Sequence, residues 1–167
     1  MAVIDVGPGA TNRATSGNSK LTWICLNNPA NASGVLDTFE VWGLNGNLEG
    51  VKVGTFSQRD TNKFTSRDYE SLGTVTYGSK QTFTGKNCDV VSGDYLGEYH
   101  TLYQIERDTS GGGGVYYYAA DIFGAGETTC TLLSGNEVSI YATGATGGGG
   151  SLPLKNVFSR PFSGVFR

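Results

Sequence analysis

The stretch VLDTFEVWGLNGNLEGVKVGTF (35–56) decides the fold class. Its halves, VLDTFEVW (35–42) and EGVKVGTF (49–56), alternate apolar with polar or small side chains, the period of two that a half-buried strand needs. Between them, LNGN (44–47) sets Asn45 before Gly46, a pair suited to the positive φ of a tight reversal. A hairpin joining the two strands is therefore predicted.

Working outward, short apolar runs keep alternating with clusters of Gly, Asn, Ser and Thr. Further strands are predicted at AVIDV (2–6), KLTWICLN (20–27), LGTVTY (72–77), KQTFTG (80–85) and DYLGEYH (94–100). LYQIERD (102–108), GVYYYAAD (114–121), TTCTLL (128–133) and EVSIYAT (137–143) complete the set. No window shows a helical period. The fold expected is all-β, an antiparallel β-sandwich, jelly-roll-like, with an extended C-terminal arm. The sandwich domain is assigned to 1–143, a Gly-rich linker to 144–150 and the arm to 151–167. Gly111 to Gly114 are predicted to form a mobile loop tip, since no helix follows to make a phosphate cradle.

The formal charge of −3 hides an asymmetry. Residues 1–152 hold nine basic against fifteen acidic side chains, a charge of −6, whereas 153–167 carry +3. An acidic body repels nucleic acid, so no nucleic-acid partner is expected. A basic arm suits a second acidic body. MAVIDVGPGA has neither a basic n-region nor a long apolar run, and nothing approaches the ~20 apolar residues of a membrane-spanning helix. Neither a secretory leader nor a membrane partner is expected. Cys25, Cys88 and Cys130 are odd in number and far apart; buried free thiols are expected, with one disulfide as the alternative.

The arm joins apolar Leu152, Leu154, Val157, Phe158, Phe162, Val165 and Phe166 to basic Lys155, Arg160 and Arg167. Fully extended, its last fifteen residues reach up to about 50 Å, far enough to cross onto a neighbour. Apolar burial alone does not offset the entropy of ordering it, so docking needs backbone hydrogen bonds or charge pairs as well. The arm is read as an assembly device, with a tail folded back on its own domain as the alternative.

Catalysis finds little support. His100 is the lone histidine and is expected at a strand end on the surface. The Cys and His spacing does not suit zinc, and no cofactor or metal is expected, with calcium between loops left open. Glu40, Glu98 and Glu106 lie on predicted strands and would be the acids of a jelly-roll glycosidase, but Glu98 and Glu106 are read as outward strand residues. The chain is not expected to be an enzyme. For sugar binding, Tyr116 and Tyr118 share one face of their strand and are the candidate stacking residues, with Tyr117 on the other and Trp42, Tyr95, Tyr99 and Tyr103 behind them. Trp23 and Trp42 are expected in the core.

Together VGPGATNR (6–13), NNPANASGVLDTFEVW (27–42), GVKVGTF (50–56), FTGKNCDVVSGDYLGEY (83–99), IERDTSGGGGVYYY (105–118) and SIYATG (139–144) resemble β-sandwich modules of phage and environmental sequences, often found near virion proteins. The resemblance covers about residues 3–144 and implies a sandwich and a virion surface, without catalytic residues. The function expected is a virion structural protein, a capsid decoration (cement) protein made in the host cytoplasm and carried on the virion surface. Its partners would be other virion proteins: neighbouring copies, a trimer being the guess from resemblance, and a major capsid protein. A carbohydrate-binding or adhesin module on a tail or fibre is the alternative, with a surface glycan as partner; a glycoside hydrolase stands behind both.

Overall fold

The alternating runs do pair as strands. In chain order they are β1 (Val3–Val6), β2 (Thr15–Asn18), β3 (Thr22–Cys25), β4 (Gly34–Trp42) and β5 (Leu48–Asp60). Next come β6 (Lys63–Val75), β7 (Lys80–Phe83), β8 (Cys88–Val90), β9 (Tyr95–Tyr99) and β10 (Gln104–Asp108). Last are β11 (Val115–Tyr118), β12 (Thr128–Thr129), β13 (Thr131–Leu133), β14 (Glu137–Val138) and β15 (Ile140–Ala145). The computed structural model describes residues 2–147, which form an all-β sandwich of antiparallel sheets.

One layer holds β1-β15-β4-β7, with β8 on the remaining part of β4, and the three-stranded sheet β14-β10-β2. Ser139, between β14 and β15, stitches these two sheets together. Its N–H donates to the Glu106 carbonyl (2.9 Å) and its carbonyl accepts from the Trp42 N–H (3.2 Å). The opposite layer is β12-β6-β5-β9-β3-β11-β13. The main core lies between the layers, where Leu36, Phe39, Val41 and Ile140 meet Trp23, Val51, Val53 and Leu96.

The predicted hairpin of β4 with β5 does not form. Gly46 has the positive φ (+89°) that the turn requires, but β4 and β5 belong to opposite layers. Both edges of β4 are already taken, one by β15 and the other by β7 and β8. The turn therefore carries the chain across the sandwich. Within β4 the register with β15 steps from Thr38 opposite Thr143 to Leu36 opposite Gly144, leaving Asp37 as an extra residue. This bulge re-phases the strand so that Leu36, Phe39 and Val41 all point inward.

The true partner of β5 is β6, in a long hairpin turned at Thr61 and Asn62. Most of β6 reads KFTSRDYES, too polar to announce a strand. The predicted strand TTCTLL is broken at Cys130, and the break has a purpose. β12 pairs with β6 and β13 with β11, so one short segment holds both ends of the seven-stranded sheet. The Cys130 N–H donates to the Asn62 carbonyl (2.8 Å) at the join. The sheet thus curls closed at one end around a second cluster: Ile24, Phe56, Phe64, Tyr116, Ile122, Phe123 and Cys130.

β15 continues through Gly144 and Ala145, opposite Ile4 and Val3, so the first two residues assigned to the linker are strand. The Thr146 N–H donates to the Ala2 carbonyl (3.1 Å) and the Ala2 N–H to Thr146 Oγ1 (3.1 Å). Residues 148–150 of the linker and all the named arm residues lie outside the described residues. The tetraglycine run, expected as a mobile tip, is pinned: Gly112 N–H donates to the Gly135 carbonyl, Gly113 N–H to Asn27 Oδ1 and Gly114 N–H to the Asn136 carbonyl.

Gly54 and Gly97 sit opposite each other on β5 and β9, under the second cluster. A Cβ at Gly97 would lie 2.5 Å from the Phe56 ring and 3.0 Å from the Trp23 carbonyl oxygen. Gly97→Ala is expected to lower the unfolding free energy by about 1–3 kcal/mol, read from urea denaturation. Gly126→Ala, whose Cβ would meet nothing within 4 Å, is expected to leave the midpoint in place.

Candidate functional site

The tyrosines of β11 separate by burial. Tyr116 is only 5% exposed, packs on Phe64 (ring centroids 4.9 Å apart) and donates its hydroxyl to the Thr61 carbonyl (2.5 Å). It fills the curled sheet and holds the tip of the β5–β6 hairpin. It cannot stack on a sugar, which corrects the predicted pair; Tyr118, 39% exposed at the strand end, stands without it. Tyr117 faces the other way, toward Trp23 (centroids 6.0 Å). Of the two tryptophans, Trp23 is core and Trp42 is half-buried.

Two of the acids, Glu98 and Glu106, and the histidine also differ from expectation. His100 and Glu98 are not surface groups; both are fully buried, with His100 Nδ1 2.7 Å from Glu98 Oε1 and Nε2 3.2 Å from the Tyr103 carbonyl. They share the inward face of β9 because they are two residues apart. Burial works against the charged ring, but the Glu98 carboxylate and the Tyr103 carbonyl carry the net shift upward from 6.5. Glu98 Oε2 has no hydrogen-bond partner among the described residues. Glu106, also buried, accepts the Arg13 main-chain N–H (3.0 Å). Glu40 pairs with Lys80 (3.0 Å). Each predicted acid thus has a different partner.

Arg13, not named among the candidate site residues, organises a polar cluster. Its guanidinium donates to Ser139 Oγ (2.7 Å), Asp108 Oδ2 (3.0 Å), Glu137 Oε2 (2.5 Å) and the Gly9 carbonyl (3.1 Å). All three cysteines are free and buried, and burial pushes their thiols up, Cys25 and Cys88 to about 12 and Cys130 to about 11. At neutral pH they are unreactive packing groups.

Two of the concavities among the described residues bear on binding. A groove of about 470 Å³ is lined by Ser33, Gly34, Arg67, Asp89, Val90, Val91 and Gly147, the last described residue. Arg67 is fixed there by the Asp94 carboxylate, and Val91 is 41% exposed. On the β2–β10 side, a smaller cavity of about 230 Å³ is lined by Asn18, Leu21, Trp23, Arg107, Tyr117 and Leu133. Arg107 lies over the Trp23 ring (5.6 Å) and donates from Nε to the Ser16 carbonyl (2.8 Å) and from Nη1 to Asn136 Oδ1 (2.9 Å). No family model, curated protein or solved structure matches the chain.

The Glu98–His100 pair has a signed pH dependence. A histidine whose folded pKa is raised stabilises the fold fully below its unfolded value, about 6.5, and this is lost as pH rises through the folded value. His100→Leu, which leaves Glu98 buried without its counter-charge, is expected to cost about 3–5 kcal/mol below that pH. The gap to the parent protein should narrow as pH rises, in chemical denaturation followed by Trp fluorescence.

Proposed function

We propose that the chain is a non-catalytic structural protein of a virion surface, a capsid decoration protein whose sandwich body is tied to a neighbour by the segment beyond Gly147. The place where the chain leaves the body carries this reading. Gly147 lines the groove, and the bonds between Ala2 and Thr146 fix that exit point at the end of β15. Twenty residues follow, spanning up to about 70 Å when extended, and the groove has room for only a few side chains. The groove alone is therefore too small to take the whole segment, and a neighbour is the surface proposed for the rest.

Charge favours a second copy as the host surface. The described body carries −6, and the segment brings Lys155, Arg160 and Arg167 with no acid. Attraction between them steers docking and weakens with salt. Its seven apolar side chains supply the area, and the exposed Val91 offers an apolar foothold near Asp89. The resemblance of residues 3–144 to phage sandwich modules supports the virion setting, with a major capsid protein as a further partner.

Sedimentation of the full chain against residues 1–147 tests the proposal. The full chain is expected to self-associate at low salt and to dissociate as salt rises. Residues 1–147 should stay monomeric with an unchanged melting temperature. Equal association of both forms would contradict the reading, as would incorporation of the shortened form into particles at full occupancy.

A further inference from the structure

The cavity beside Arg107, which shares no lining residue with the groove at Gly147, has the makings of a ligand site. Arg107 makes no ion pair among the described residues, whereas Arg13 and Arg67 are both carboxylate-paired. Two of its five N–H donors serve Ser16 and Asn136, which fix the guanidinium plane and leave donors on Nη1 and Nη2 unspent. This half-buried cation sits against a ring in a concave, mainly apolar wall made by Leu21, Trp23, Tyr117 and Leu133. Asn18 adds an amide; its Oδ1 accepts from Gln104 Nε2 (3.2 Å), which leaves its own N–H groups free to donate.

We propose that this cavity binds a single pyranose ring bearing a carboxylate, of the uronic or sialic acid class. The ligand's carboxylate meets the unspent donors of Arg107, its ring packs on Tyr117 and the two leucines, and a hydroxyl accepts from Asn18. A carboxylate rather than a neutral sugar is called for because the guanidinium has no counter-charge among the described residues and a charge-assisted pair is the strong form of that bond. A sugar rather than an acidic peptide is called for because the cavity is the size of one ring and walled by aromatic and branched side chains. Lys20 and Arg59 also make no ion pair among the described residues, but Arg107 is the cation that this cavity presents.

Saturation-transfer NMR titration of the full chain tests this with four probes: methyl glucuronide, methyl glucoside, acetate and a short polyaspartate peptide. Glucuronide should bind roughly ten- to a hundredfold more tightly than glucoside, and more weakly as salt rises. Arg107→Gln should reduce glucuronide to the glucoside level, and Leu133→Trp, which fills the cavity, should abolish binding. If Arg107→Gln fails to fold, Leu133→Trp alone decides. No transfer to glucuronide, equal affinity for the two sugars, or binding that survives Leu133→Trp would overturn the proposal. Acetate or the peptide binding as tightly as glucuronide would overturn it too.

Discussion

The segment 128–133 holds both ends of the seven-stranded sheet, and much of the molecule depends on that closure. A sheet of this width would otherwise leave two rows of unpaired N–H and C=O groups open to other chains. Here β12 satisfies one end and β13 the other, with Cys130 between them. Closure requires something to fill the curl, and Phe64, Tyr116, Phe56 and Phe123 do so, with Phe56 and Phe123 rings 5.0 Å apart. The space for the Phe56 ring comes from Gly97 of β9, where a Cβ would lie 2.5 Å from it.

Other edges are blunted by side chains. The Asn31 amide sits beside β1 like a fragment of strand, accepting from the Asp5 N–H (3.2 Å) and donating to the Val3 carbonyl (3.4 Å). Asp68 and Glu70 of β6 accept the outward N–H groups of Asp89 and Asn87. A body so capped offers little purchase for strand addition along these edges. In the proposed function, association is therefore assigned to the segment beyond Gly147 rather than to these edges. The buried polar groups serve the same rigidity. Arg13 ties Gly9, Asp108, Glu137 and Ser139 into one unit, and Glu98 with His100 clamps the loop at Tyr103. Arrangements of this kind are costly to desolvate and costly to break, so they fix one conformation more than they add stability.

Sheet structure was legible in residues 35–56 because alternation is a local property. Pairing was not, because whether β4 meets β5 depends on which strands have already taken the edges of β4. β2 (TSGN) and β8 (CDV) escaped notice because they are held by backbone bonds and carry almost no apolar signal. Of the candidate sites, Tyr116 was named correctly as an aromatic of note and given the wrong role. Alternation told which tyrosines share a face but not that the curled sheet closes over one of them. Glu98 and His100 looked like solvent-facing strand residues since nothing local shows that β9 is buried on both faces. Arg13 and Arg107 lie among polar residues, and only the fold distinguishes the paired guanidinium from the unpaired one.

The closed sheet is open to direct measurement by residue-resolved amide hydrogen exchange. If segment 128–133 joins β6 to β11, the Cys130 amide and its bonded neighbours in β12 and β13 should exchange as slowly as the central strands β5 and β9, in one cooperative unit. Fast exchange through 128–133, with β6 and β11 fraying independently, would show two open edges and contradict the account of this body.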